Sequence, residues 1–206
     1  MSDALDNALD VDWEKGAGLV PAVIQDADTG AVLMLGYMNA AALDQTRESG
    51  LVTFWSRSKN RLWTKGETSG NVLRLVSVSL DCDRDTLLIQ ARPEGPVCHL
   101  GTPTCWGEET QGALGFLARL ERIIADRQGA DPETSYTARL FSQGVAKIAQ
   151  KVGEEGVETA LAAVGEGDDA LTGEAADLIF HLMVLLRARG LGLGDVAKVL
   201  AQRHGG

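Results

Sequence analysis

The chain changes texture once, and that change limits its folds more than any other feature. Up to about residue 106 it runs as short apolar segments broken by turn signals, whereas beyond Gly112 apolar residues recur at helical spacing. Residues 19–25 and 31–38 are apolar runs of strand length, separated by Asp26-Ala27-Asp28-Thr29-Gly30. Residues 40–49 predict a short helix closed by Gly50, and 51–55 and 72–80 predict further strands. Later, Leu114, Leu117, Leu120 and Ile124 share one helical face and Val145, Ile148 and Val152 another, while 169–189 predicts a long apolar helix stopped by Gly190. The expected architecture is a small, strand-rich α+β domain over residues 1–109, then an all-α helical bundle over 112–206. The polar stretch 106–112 is the joint.

Each half is small for independent stability, so a homodimer or a structural metal is expected to help. The formal charge of -10 argues against a nucleic-acid partner, because a phosphate polymer would be repelled over most of the surface. An anionic small molecule must then meet local positive charge, from bound cations or from the basic run between Arg57 and Lys65. The acidic stretch 1–12 carries no secretory or mitochondrial address, and the apolar run 178–186, interrupted by His181, is too short to cross a bilayer. A soluble, cytoplasmic protein is expected. Three cysteines, an odd number, suit thiols or metal ligands better than a disulfide framework.

Those cysteines, Cys82, Cys98 and Cys105, lie close together in sequence and are interleaved with polar residues of catalytic type. Taken singly, a free cysteine is an ordinary small apolar residue. Here Cys82 sits inside Asp81-Cys82-Asp83-Arg84-Asp85, and His99 follows Cys98 directly. Three thiolates without an obvious fourth ligand describe a zinc ion that keeps one position open for water. Zinc lowers the pKa of such water from about 15.7 to about 7, and His99 would stand ready to move protons.

Strand parity adds a constraint. Val76, Val78 and Leu80 alternate with Ser77, Ser79 and Asp81, so a continuing strand would keep Cys82 on the apolar face and put Asp81 and Asp83 on the other. The aspartates, Asp85 included, would then hold a harder cation such as magnesium, and Cys82 would reach a thiolate site elsewhere, a subunit boundary being one place for it. A turn at Asp83-Arg84 would break that parity. Between the strands, segment 53–71 mixes cations, hydroxyls, tryptophans and glycines. Trp55, Arg57, Lys59, Trp63, Lys65, Gly66 and Ser69 are the candidate nucleotide contacts, able to present charge and N–H groups to a phosphate and a ring to a base.

Segment 55–71, the Asp-Cys-Asp-Arg-Asp run, Cys98-His99 and Cys105 closely resemble the phosphoribosyl-AMP cyclohydrolase family, over about residues 13–107. The resemblance implies zinc on Cys82, Cys98 and Cys105, contributed by both protomers of a dimer. It also implies magnesium on Asp81, Asp83 and Asp85, and His99 in proton transfer. The implied reaction hydrates an adenine made electron-poor by ring substitution and then opens that ring.

In the second half, Glu154, Glu155 and Glu158 fall within an arc of about 100 degrees on one helix, and Glu174 and Asp177 stand three apart on the next. Acidic residues usually decorate solvated faces. Glu174, however, heads the apolar stripe Leu178, Leu182, Leu186, where an unpaired carboxylate would be costly. Antiparallel packing through Gly165-Glu166-Gly167 would bring both patches together, and up to five carboxylates require divalent cations, magnesium above all. Gly153 and Gly156, each weakening the helix by about 1 kcal/mol relative to alanine, would admit a ligand or a neighbouring helix. Lys147 and Lys151 are candidate phosphate contacts.

The pattern Glu-Glu-x-x-Glu followed by Glu-x-x-Asp resembles the all-α nucleotide pyrophosphohydrolases of the MazG-like superfamily. With Ser135-Tyr136-Thr137 and segment 147–158, it is similar to phosphoribosyl-ATP pyrophosphatase over about residues 113–204. The fusion selects the substrate, because the product of one reaction is the substrate of the other. The resemblance implies water attack between the α and β phosphates and release of pyrophosphate. Two rivals are a housecleaning nucleoside triphosphate pyrophosphatase joined to a structural zinc module, and a metal-dependent dimerisation or sensing protein without catalysis.

Overall fold

The structure, a computed structural model, describes residues 9–107 and 113–204. The acidic stretch 1–12 is therefore described only from Leu9, and the joint expected at 106–112 lies outside the described residues from 108 onward. The chain divides into two compact units, Met1–Phe116 and Leu117–Gly206.

The first unit holds β1 (Val20–Asp26), β2 (Val32–Met38), α1 (Ala40–Ser49), β3 (Thr53–Ser56), β4 (Arg61–Thr64), β5 (Leu73–Leu80) and β6 (Leu87–Pro93). Four strands form a sheet of order β2-β1-β6-β5, in which β1 and β6 are parallel and the outer pairs antiparallel. β1 alternates buried and half-buried residues, Val20, Ala22 and Ile24 pointing inward with Leu87, Ile89 and Ala91 of β6. A bulge in β5 between Leu75 and Ser77 shifts which residues face the core, so Leu73 before it and Val78 after it are both buried. β3 and β4 form a separate antiparallel hairpin. α1 starts at Asn39, whose side chain accepts from the Ala42 N–H, and ends at Gly50 in the left-handed conformation. Buried Thr46 ties α1 to β3, its hydroxyl donating to the Ala42 carbonyl at 2.8 Å and accepting from the Thr53 N–H at 2.9 Å.

The helical part comprises α2 (Ala113–Asp126), α3 (Tyr136–Gln143), α4 (Val145–Gly165), α5 (Asp168–Ala188) and α6 (Leu193–His204). Its core gathers Ile124, Leu140, Ile148, Met183 and Val184. Glu166 and Gly167 turn the chain back between α4 and α5, as the glycine-flanked link predicts. On α4 the buried residues are Ile148, Glu155 and Ala162, one every seventh position, so a carboxylate occupies a core register. On α5 the buried residues are His181, Met183 and Val184, whereas Leu178, Leu182 and Leu186 are only half-buried. α5 is apolar on more than one side, and that is why spacing alone did not identify its inward face. No described helix is long and apolar enough to cross a membrane.

Candidate active sites

In the first unit a cavity of about 570 Å³ is lined by Trp63, Lys65, Gly66, Ser69, Cys98, His99 and Cys105, seven residues that the sequence had singled out. Local backbone explains their convergence. Gly66 has a φ of +85°, and a Cβ there would lie 2.4 Å from the Asn71 carbonyl oxygen, so the turn after β4 accepts only glycine. Lys65, buried, donates from Nζ to the same carbonyl at 3.3 Å. The Cys98 N–H bonds the Thr102 carbonyl, and the Cys105 N–H bonds Leu33 of β2, which fixes both thiols on one side of the sheet. His99 Nδ1 lies 3.9 Å from Cys98 Sγ. Burial pushes the Lys65 ammonium below its usual range, against the pull of Cys105 and Cys98. The Leu100 N–H and the Thr102 side chain hold the Cys98 thiol low, while desolvation and Cys98 itself push Cys105 up. Cys98 is thus the readier thiolate. Glu67 also lines this cavity, paired with Arg61 and accepting from the Thr64 N–H. Sequence reasoning missed Glu67, although it lies inside segment 53–71.

Cys82 does not line that cavity; it is exposed, in the turn after β5. β5 ends at Leu80, so Asp81, Asp83 and Asp85 converge, with ligand atoms within 4.8 Å of one another, through a turn rather than through strand parity. Asp81 Oδ1 accepts the N–H groups of Asp85 at 3.0 Å and Thr86 at 3.1 Å, and Arg84 has a φ of +64°. Desolvation raises the Asp81 pKa, but those N–H groups outweigh it and the net shift is downward. Lys15 reaches this cluster, its ammonium 2.8 Å from Asp83 Oδ2 and 3.0 Å from Asp85 Oδ2. Trp55, Arg57 and Lys59 stand apart from the cavity on the β3–β4 hairpin, Arg57 lying 3.9 Å over the Tyr37 ring.

In the helical unit Glu155 and Glu158 of α4 and Glu174 of α5 converge within 4.8 Å, while Glu154 and Asp177 fall outside that group. Glu154 turns to Lys151 at 2.9 Å and Gln150 at 2.7 Å, and both hold its carboxyl below the usual range. Lys151 also bonds Glu155 at 3.1 Å, so it neutralises carboxylates rather than standing free; Lys147 reaches Gln150. Desolvation, then Glu155 and Glu174, push the Glu158 pKa up, against the pull of Lys151. Two residues were not anticipated. His181 stands beside Glu155, its Nδ1 3.6 Å from Oε1, and the Tyr136 hydroxyl lies 2.9 Å from His181 Nε2. The only sequence signals were a histidine inside an apolar run and the period-seven spacing of Glu155 with Ile148 and Ala162. Among the described residues no other group of three or more His, Cys, Asp or Glu side chains converges this closely.

The phosphoribosyl-AMP cyclohydrolase family matches residues 34–107, and the phosphoribosyl-ATP pyrophosphohydrolase family matches 117–204. A histidine biosynthesis bifunctional protein, HisIE, of Xanthomonas axonopodis pv. citri is 63% identical over 195 residues, spanning 94% of this chain and 93% of its own length. The chain belongs to this bifunctional family. The HisIE protein of Photobacterium profundum is 60% identical over 199 residues, covering 94% of this chain and 96% of its own length. That of Escherichia coli is 58% identical over 195, covering 95% and 96%. As a member, the chain is an enzyme of histidine biosynthesis that pairs a cyclohydrolase with a pyrophosphohydrolase, and neither rival reading is favoured.

Proposed function

We propose that the helical domain, residues 112–206, converts phosphoribosyl-ATP to phosphoribosyl-AMP and pyrophosphate, and that the α+β domain, residues 1–109, then opens the adenine ring of that product. The observation that carries this reading is that each half gathers its own set of ligand-type side chains: two thiols and a histidine around one cavity, and three carboxylates between two helices.

The donor sets fit the expected ions. Crowded carboxylates with a raised Glu158 pKa suit a hard cation, and Glu155, Glu158 and Glu174 would hold magnesium, with Glu154 and Asp177 at the margin. Magnesium bound there would supply positive charge beside phosphate oxygens and so favour attack by water. Lys147, on the same helix, would meet the phosphates, while Lys151, bonded to Glu154 and Glu155, would have to leave them to do so. In the other half Cys98 and Cys105 supply two soft ligands within one chain, and the exposed Cys82 suits a third from a second protomer. Zinc would supply Lewis acidity and a nucleophilic water at neutral pH. His99 moves protons at the cavity wall; Lys65, Gly66 and Ser69 line the nucleotide pocket with Trp63 against the base. Trp55, Arg57 and Lys59 lie on the hairpin outside this cavity, where they would meet parts of the substrate that extend beyond it, and Asp81, Asp83 and Asp85 would hold a second magnesium.

A homodimer is favoured by the position of Cys82 and by an exposed apolar stripe on α4, where Val157, Leu161 and Val164 recur at i, i+4 and i+7. Three free thiols agree with a reducing, cytoplasmic compartment. The test is to supply phosphoribosyl-ATP with magnesium and zinc and to follow pyrophosphate and the ring-opened product together. Successive appearance of both is expected; pyrophosphate release from ordinary nucleoside triphosphates with no ring opening overturns the assignment.

A further inference from the structure

We infer that His181 is a positioning residue for pyrophosphate release, its Nδ1 edge set against the Glu155 carboxylate of the three-carboxylate centre in a ring pose that the Tyr136 hydroxyl and the Asp177 carbonyl hold. This rests on the reading of that centre as a cation site.

His181 is buried in α5 and Glu155 is buried in α4, although both carry groups that burial penalises. The backbone contact of His181 places a hydrogen on one ring nitrogen. Nδ1 lies 2.8 Å from the Asp177 backbone carbonyl, which can only accept, so Nδ1 carries the hydrogen. Nε2 is hydrogen-bonded to the Tyr136 hydroxyl at 2.9 Å. The ring is clamped edge-on by Phe180 at 5.2 Å and Tyr136 at 6.0 Å between centroids. In this pose the Nδ1–H also faces Glu155 Oε1 at 3.6 Å, beyond a hydrogen bond but close enough for its dipole to act in a dry setting. Lys151 bonds the same oxygen at 3.1 Å. Glu155 thus meets an ammonium and a ring N–H at Oε1 while it takes part in the centre shared with Glu158 and Glu174. Such support behind a ligand typically changes metal affinity by about 10–100-fold.

The experiment measures Mn2+ binding to the full chain by electron paramagnetic resonance, with Glu155→Gln marking what the rest of the protein binds. The inference expects His181→Leu to weaken the Glu155-dependent binding at least tenfold and His181→Asn, which keeps an N–H in the Nδ1 position, to restore most of it. Tyr136→Phe, which keeps the ring at a half-exposed position, should weaken that binding severalfold and raise the Mg2+ concentration needed for half-maximal pyrophosphate release. Parent-like affinity in both His181→Leu and Tyr136→Phe overturns the inference alone. Identical binding by the parent and Glu155→Gln overturns the cation centre and the inference with it.

Discussion

Two carboxylate triads of similar dimensions are built in opposite ways. Asp81, Asp83 and Asp85 come from five consecutive positions of a turn, are largely exposed, and are organised by backbone N–H groups of the same turn. Glu155, Glu158 and Glu174 come from two long helices, and one of them occupies a core register. Each has a lysine at hand, Lys15 for the turn and Lys151 for the helices, and in both cases the carboxylates hold the ammonium pKa above its usual value. The turn can rearrange around a cation at little cost, because few packed contacts depend on it. The helical triad cannot, because moving Glu155 disturbs the α4–α5 contact. Rigid placement suits a centre that must aim water at phosphorus; a pliant one suits a supporting ion.

The sharpest way to break this comparison is Glu155→Gln. Loss of one buried ligand should cost about 3–4 kcal/mol of transition-state stabilisation, several hundred-fold in pyrophosphate release, with ring opening of supplied phosphoribosyl-AMP unchanged. Both activities falling together in a coupled-product assay would mean the two centres are not independent. Cys98→Ser tests the other half and should do the reverse. Zinc content should fall from about one ion per chain, since a structural or catalytic thiolate site is lost with its readiest thiolate, and ring opening should disappear while pyrophosphate release persists. Retained zinc with retained ring opening would remove the thiol cavity from the chemistry.

The sequence made the turn triad legible because its members are neighbours, yet the reason given for their grouping was strand parity, and the chain had already left the strand at Leu80. The helical triad was legible from i, i+3 and i+4 spacing and a short glycine-flanked link, which a helix converts directly into a shared face. Spacing could not decide which two of five carboxylates turn away, because Lys151 and Gln150 claim Glu154 through contacts that any exposed lysine could have made elsewhere. His181 stayed hidden for a related reason: its role depends on Tyr136, forty-five residues away in the chain and brought near only by packing. Among the elements, α1 was foreseen to the residue, its end marked by Gly50, and the structure adds Asn39 as the cap at its start. β6, central in its sheet, was missed, since its apolar run is only Leu87, Leu88 and Ile89 before polar residues and Pro93. α6 was missed although Leu193, Val196 and Leu200 recur at i, i+3 and i+7; none of them is fully buried.

The smallest expected effect asks what Lys15 is to the turn triad. Its ammonium bonds Asp83 Oδ2 and Asp85 Oδ2 and also reaches the Asp83 carbonyl at 3.1 Å, so it meets the oxygens that a divalent ion would need. If it is a stand-in for the ion, Lys15→Met should tighten the Mn2+ binding that Asp83→Asn abolishes, by about two- to fivefold, the scale of an exposed ion pair. If the lysine instead braces the turn, the same variant should weaken that binding, because three unscreened carboxylates would spread apart. The direction of the change separates the two roles. The helical triad supplies the contrast, since its carboxylates are held apart or together by α4 and α5 whatever the turn does, and its Mn2+ affinity should not respond to Lys15→Met at all.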